Sequence, residues 1–431
     1  MDKYALRFPQ GKLQGKITLP SSKSISNRLL VIRALSPESF PLKRLSDSDD
    51  TQSLQKGLQS SSDIIDVAHA GTTMRFLTGY FAATGKAKTI TGSERMKNRP
   101  IGDLVDALNS LGADIHYIEK QGYPPVQTSG KLLSGNFIEI NGNVSSQFIS
   151  ALLLIAPVLP DGLTIGIKGE PVSASYIRMT LELMQQAGVS SRFEKNIITV
   201  AGQNYRSEGM CVEPDWSAAS YWFQMAALAD DAELLLEDIT EKSLQGDAMI
   251  SQIARSLGVK TEFTSEGALL TKQKGISQHL ELDFINMPDL VQTVAVTCCL
   301  KNIPFRFSGV QTLRVKETDR IAALQNELLK LGYRIRETGT GVIEWNFEYA
   351  EPQHPACIAT YHDHRMAMAF APVAIHFPDL QIENPDVVSK SYPNFWNDLK
   401  NVGATIVRDE EILILSENKN SKNQYGNTKS I

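Results

Sequence analysis

The apolar residues Ile101, Leu104, Val105, Leu108 and Leu111 fall at helical spacing and stop at Gly112. The same pattern, an amphipathic helix closed by glycine, returns at Gly188, Gly258, Gly332 and Gly403, at intervals of 70–76 residues. Each stop leads into residues that favour a strand: Asp114–Tyr117, Val189–Phe193, Val259–Phe263, Tyr333–Arg336 and Ala404–Val407. A second set of helices is predicted to begin near Lys23, Thr72, Ser145, Ser217, Pro288 and His362, with a first interval of 49 residues and later ones of 71–74. Two registers with one period make the chain of 431 residues an array of six α/β units, the first shortened by about 20 residues. After a last apolar stretch, Ile412–Leu415, the Asn-, Lys-, Ser- and Gly-rich tail 417–431 is expected to be disordered.

Charge narrows the function. The 43 Lys+Arg against 48 Asp+Glu leave a net charge of -5, which argues against a general nucleic-acid or anionic-membrane binder, because both need a clustered basic excess. The four cysteines have no CxxC spacing, and Cys298 and Cys299 sit in the apolar run Val291–Leu300, so burial is expected and neither a disulfide framework nor a zinc site is. His362 and His364 have no third ligand placed beside them, and Gly79–Lys86 departs from a P-loop, with Ala87 where Ser or Thr is needed. Met1–Gln14 lacks the apolar core of a signal peptide and Phe148–Leu159 is too short to span a bilayer, so a cytoplasmic location is expected.

The second set of helices opens on polar clusters: Ser21–Arg28, Ala70–Arg75, Ser145-Ser146-Gln147, Asp215-Trp216-Ser217, Met287-Pro288-Asp289 and His362–Arg365. One such start is an ordinary N-cap. Equivalent starts in repeats that pack side by side put several positive helix ends on a common side, where anions bind. Basic residues gather at the same junctions: Lys23, Arg28, Arg99, Lys316, Arg320, Arg365 and Lys390. A chain of net negative charge that concentrates cations there is built for small polyanions. Within this set stand two acids, Asp289 and Glu317, which could move a proton on and off a reacting molecule.

The segments Ser22–Arg28, Ala70–Arg75, Arg99–Gly102, Ser145–Gln147, Arg314–Arg320, Asp363–Met368 and Ser389-Lys390 resemble, in order and from Lys16 to about Leu415, the 5-enolpyruvylshikimate-3-phosphate synthase family of enolpyruvyl transferases. The resemblance implies an α/β, two-domain fold described as an inside-out α/β barrel, with six βαβαββ units, three per domain, and an active site in the interdomain cleft. The domains would be 1–20 with 214–416, and 21–213, with Pro20 and Pro214 beside the crossings. It implies transfer of the enolpyruvyl group of phosphoenolpyruvate to the 5-hydroxyl of shikimate 3-phosphate, with no cofactor, no metal, no nucleic-acid or membrane partner, and a monomer.

Carried over by resemblance, Lys23, Ser24, Arg28, Ser145, Ser146, Gln147, Ser173, Tyr176, Asp289, Thr312 and Lys316 would hold shikimate 3-phosphate. Phosphoenolpyruvate would fall to Lys23, Gly71, Arg99, Gln147, Arg320, Arg365 and Lys390. Asp289 would accept the hydroxyl proton, Glu317 would donate to the methylene carbon, and Lys23 would complete the catalytic set. His69, Phe76 and Thr312 depart from residues frequent in the family (Asn, Pro and Asn). Gly71 suggests glyphosate as an inhibitor competing with phosphoenolpyruvate, and Phe76 bears on its strength. Two other functions compete: transfer to UDP-N-acetylglucosamine, disfavoured because Ser24 follows Lys23 and no cysteine lies in a suitable loop, and a catalytically silent phosphometabolite binder, which would need neither Asp289 nor Glu317.

Overall fold

The computed structural model describes residues 2–143 and 145–408; Ile412–Leu415 and the tail 417–431 lie outside the described residues. Among the described residues five four-stranded sheets and one two-stranded sheet make up the β structure, so six sheets match the six units of the sequence period. In each four-stranded sheet a parallel pair is extended by two antiparallel strands, as in Ile64–Asp66, Ala87–Thr91, Val126–Ser129 and Ile115–Tyr117. The two-stranded sheet pairs Leu42–Lys43 with Met210–Cys211. That unit lacks the antiparallel hairpin, because helix Asp49–Gln59 runs almost directly into the strand Ile64–Asp66. The missing hairpin is the shortening read from the first interval.

Two kinds of helix alternate. The inner ones are α1 (Lys23–Leu35), α2 (Gly71–Thr84), α3 (Ser146–Ile155), α4 (Trp216–Leu228), α5 (Val291–Leu300) and α6 (His364–Phe370). Every residue of α5 and α6 is buried, as are all of α4 but Ser217. A helix apolar on all sides belongs in a core. The outer helices, such as Gly102–Ser110 and Arg320–Lys330, bury one face. The strands alternate buried and exposed positions, as in Phe137–Asn141, which places helices inside and sheets outside.

All five glycine stops have positive φ, from 80° at Gly188 to 102° at Gly112, which ends a helix at little cost because glycine has no Cβ to clash. Three expectations shift. The strand expected at Tyr333–Arg336 forms at Arg336–Gly339, because Arg334 N–H bonds to the Glu348 carbonyl and Tyr333 makes only an isolated bridge to Tyr349. The helix expected near His362 begins at His364, since Tyr361 and His362 are left-handed, with φ of 54° and 55°. The helix expected near Pro288 opens as a short 3-10 turn, Pro288–Leu290, before α5.

Buried apolar side chains form two large clusters. One runs from Ile25 to Val212; the other joins Leu6–Leu19 to Trp216–Ala404 and includes Cys298 and Cys299. We call the parts built on them the first and second lobes. The chain passes between lobes along two antiparallel segments that bond to each other, Ser22 N–H to the Glu213 carbonyl and Asp215 N–H to the Pro20 carbonyl, both at 2.8 Å.

Candidate active site

A cavity of about 400 Å³ lies between the lobes. The first lobe lines it with Lys23, Ser24 and Arg28 of α1, Gly71 at the start of α2, Arg99, and Ser145, Ser146 and Gln147 at the start of α3, with Ser173 and Tyr176 beyond. The second lobe adds Asp289, Thr312, Lys316, Glu317, Arg320 and Arg365. Lys390 borders a neighbouring cavity and reaches this one through Glu317, at 2.9 Å. The starts of α1, α2, α3 and α6 thus converge on one cavity, joined by Asp289 just before α5, with Ser22, Ser145 and Asp363 capping α1, α3 and α6.

In the second lobe Arg320 joins three carboxylates. Its Nε donates to Asp363 Oδ2 at 2.7 Å, Nη1 to Asp289 Oδ1 at 3.0 Å and Nη2 to Glu317 Oε2 at 2.9 Å. Arg365 pairs with the other oxygen of Asp289 at 3.0 Å, and the Tyr176 hydroxyl crosses from the first lobe to donate to it at 2.7 Å. Burial opposes ionisation of Asp289, but Arg365, Lys316 and Arg320 outweigh it and hold the carboxyl well below the usual carboxylate range. Glu317 is likewise held down against burial by Lys390, Arg320 and Arg99. Burial lowers the Lys316 ammonium, although Asp289 pulls the other way.

Arg28 and Arg75 of the first lobe are held differently. Arg28 donates to Thr180 Oγ1 at 2.7 Å, the Ser24 carbonyl at 2.9 Å, Ser150 Oγ at 3.1 Å and the Tyr176 carbonyl at 3.3 Å. Its guanidinium also lies 5.6 Å from the Phe76 ring centroid and 5.7 Å from that of Tyr176. None of these partners is charged, and burial pushes Arg28 down to about 10. Arg75 bonds to the Gly71 and Pro100 carbonyls at 3.0 and 2.7 Å. A Cβ at Gly71 would stand 2.8 Å from Arg99 Cζ, so what glycine admits here is the Arg99 guanidinium. Ser173 is left-handed at φ 55°, and its N–H bonds to the Ile285 carbonyl of the second lobe at 2.9 Å. Gln147 Nε2 lies 3.3 Å from Thr72 Oγ1, and Thr312 Oγ1 is buried with no partner among the described residues.

Several contributors escaped sequence reasoning. Asp50 pairs with Lys23 at 3.2 Å, and that contact exists only once α1 and helix Asp49–Gln59 pack together. Asp363 and Arg75 were visible in motifs, but nothing local marks a buried ion pair. His364 is buried against the cavity; burial, then Lys23 and Arg365, keep its imidazole neutral. Asp247 is a buried acid that accepts from Ser217 Oγ and is pushed up to about 7 by burial and by Asp289. Among the described residues no group of three His, Cys, Asp or Glu could hold a metal, and no helix is long and apolar enough to cross a membrane.

Seven cations, Lys23, Arg28, Arg75, Arg99, Lys316, Arg320 and Arg365, face three acids across this cavity, which therefore favours ligands carrying several negative charges. A family model described as EPSP synthase (3-phosphoshikimate 1-carboxyvinyltransferase) matches residues 54–399. A Bacteroides fragilis protein named 3-phosphoshikimate 1-carboxyvinyltransferase is 49% identical over 410 residues, covering 95% of this chain and 100% of its own. One of the same name from Photobacterium profundum is 35% identical, covering 91% and 97%. The solved EPSP synthase of Acinetobacter baumannii superposes with a TM-score of 0.76 at 20% identity over 95% of this chain and all of its own, which speaks to the fold. Sequence and architecture together make this chain a member of the EPSP synthase family.

Proposed function

We infer that the protein transfers the enolpyruvyl group of phosphoenolpyruvate to the 5-hydroxyl of shikimate 3-phosphate and releases phosphate, a step of the shikimate pathway to aromatic amino acids. The observation that carries this reading is the position of Asp289 and Glu317 on the two ends of one guanidinium, Arg320, inside a cavity of excess positive charge. Both substrates bear a phosphate and a carboxylate, and the cavity has cations for each.

In the proposed mechanism Asp289, kept ionised by Arg320 and Arg365, takes the proton of the 5-hydroxyl as that oxygen attacks C2 of phosphoenolpyruvate. Glu317 delivers a proton to the methylene carbon. It is ionised beside Lys390, Arg99 and Arg320; the phosphate and carboxylate of phosphoenolpyruvate draw on those cations, which raises its proton affinity when the substrate arrives. Glu317 then takes a proton back from the methyl group as the tetrahedral adduct loses phosphate toward the same cations, which restores the enol ether, and the proton held by Asp289 leaves with the phosphate. Arg28, Ser24, Ser145, Ser146, Ser173, Tyr176, Thr312 and Lys316 position shikimate 3-phosphate, while Lys23, Gly71, Arg99, Gln147, Arg365 and Lys390 enclose phosphoenolpyruvate.

The proposal includes two domains, 1–20 with 214–416 and 21–213, that close on the substrates; the two apolar cores and the paired crossing segments support it. It includes action as a cytoplasmic monomer, and competition of glyphosate with phosphoenolpyruvate, with Phe76 acting on inhibition through Arg28. Phosphate release with phosphoenolpyruvate and shikimate 3-phosphate together, but with neither alone and not with UDP-N-acetylglucosamine as acceptor, is the expected result. No release with any acceptor despite binding of both ligands would favour a silent binder.

A further inference from the structure

A second cavity, of about 430 Å³, adjoins the first, and its walls beyond Arg99, Glu317 and Lys390 have no role in the mechanism above. His69, Arg95 and Arg99 bound it from the first lobe, and Glu317, His362 and Lys390 from the second. Arg99 and Glu317 also line the substrate cavity, so they stand on the boundary between the two. The far wall is tied across the lobes by Arg95, whose Nε donates to the Glu317 carbonyl at 2.7 Å. The near wall is tied by Lys390, which donates to the His69 carbonyl at 3.1 Å and to Glu317 Oε1 at 2.9 Å.

These walls carry five nitrogen bases and one carboxylate, beside Met96, Thr318 and Tyr361, and the carboxylate is engaged closely by Lys390 alone among the bases. Arg99 is buried, its Nε has no partner among the described residues, and the Glu317 carboxylate oxygen it pairs with is 3.6 Å away. Burial, then Lys390 and His362, depress the His69 imidazole, with Asp50 and Asp66 opposing. An arriving anion would oppose that depression. His362 holds a left-handed backbone at φ 55°, a conformation that a non-glycine residue keeps only where its surroundings enforce it.

We propose that this cavity binds inorganic phosphate and receives the leaving group of the transfer reaction on its way to solvent. The inference rests on the reaction assigned above. No bond changes in the second cavity: the C–O bond breaks in the first, and the free phosphate passes Arg99 and Lys390 toward His69, His362 and Arg95. Moving phosphate aside removes the nucleophile of the back reaction while the product is still bound.

Equilibrium dialysis of radiolabelled inorganic phosphate against protein saturated with shikimate 3-phosphate tests this, because the bound substrate fills its own phosphate position. The expected result is two phosphates per chain, one in each cavity. In His69→Asn/His362→Asn, where asparagine suits the left-handed backbone of position 362, the second should weaken at least about tenfold while the first remains. Arg95→Gln, which removes a wall cation, should weaken the same phosphate and serves if the histidine pair fails to fold. One phosphate in the parent protein, or two retained in both variants, overturns the proposal. A parent protein that turns over but binds a single phosphate fails this inference alone; one that releases no phosphate from its substrates fails the assigned reaction.

Discussion

Two buried arginines of the first lobe and two of the second are held in opposite ways. In the first, Arg28 and Arg75 rest on hydroxyls, carbonyls and ring faces, and burial pulls both below the usual guanidinium range. In the second, Arg320 rests on Asp363, Asp289 and Glu317 and Arg365 on Asp289, and these charges outweigh burial and push both up. A buried cation among neutral dipoles lacks its counter-charge, and a substrate anion supplies it. A cation among carboxylates is already compensated; what it does is fix the protonation and position of those acids. Arg28 and Arg75 are therefore built to bind, whereas Arg320 and Arg365 also hold the acids that move protons.

This contrast breaks most sharply at the acids. Asp289→Asn and Glu317→Gln should each lower kcat by about 10²–10⁴-fold with KM values little changed, as steady-state phosphate release would report. Arg28→Met should do the reverse, raising KM for shikimate 3-phosphate by about 10–100-fold with a small change in kcat, since it removes charge-assisted bonds to the ligand. Gly71→Ala, which forces Arg99 aside, should raise KM for phosphoenolpyruvate by about tenfold in the same assay. The smallest effect is on stability. Asp247 binds its proton more tightly folded than unfolded, so its contribution is full below its unfolded value, about 4, and is lost as pH rises to about 7. Asp247→Asn should flatten that part of a denaturation profile measured between those pH values.

The period, the glycine stops, the shortened first unit and the polar helix starts were legible because they rest on local backbone chemistry repeated along the chain, five times at the glycines and six times at the helix starts. All the cavity residues inferred from motifs face one cavity or its boundary, since motifs at helix starts are carried together when the inner helices converge. The contrast between lobes was hidden. Thr180 and Ser150, which hold Arg28, lie 152 and 122 residues from it in sequence. Asp50 and Asp247 were missed for the same reason, since a buried carboxylate has no local signature until its partner arrives. Phe76, noticed only as a departure, proves to be a face for Arg28.

Calorimetric titration of shikimate 3-phosphate into Glu317→Gln and Arg28→Met tests the division of labour most directly. The account predicts that Glu317→Gln binds within about twofold of the parent protein while Arg28→Met loses at least about tenfold. Weak binding by Glu317→Gln together with parent-like binding by Arg28→Met would contradict it.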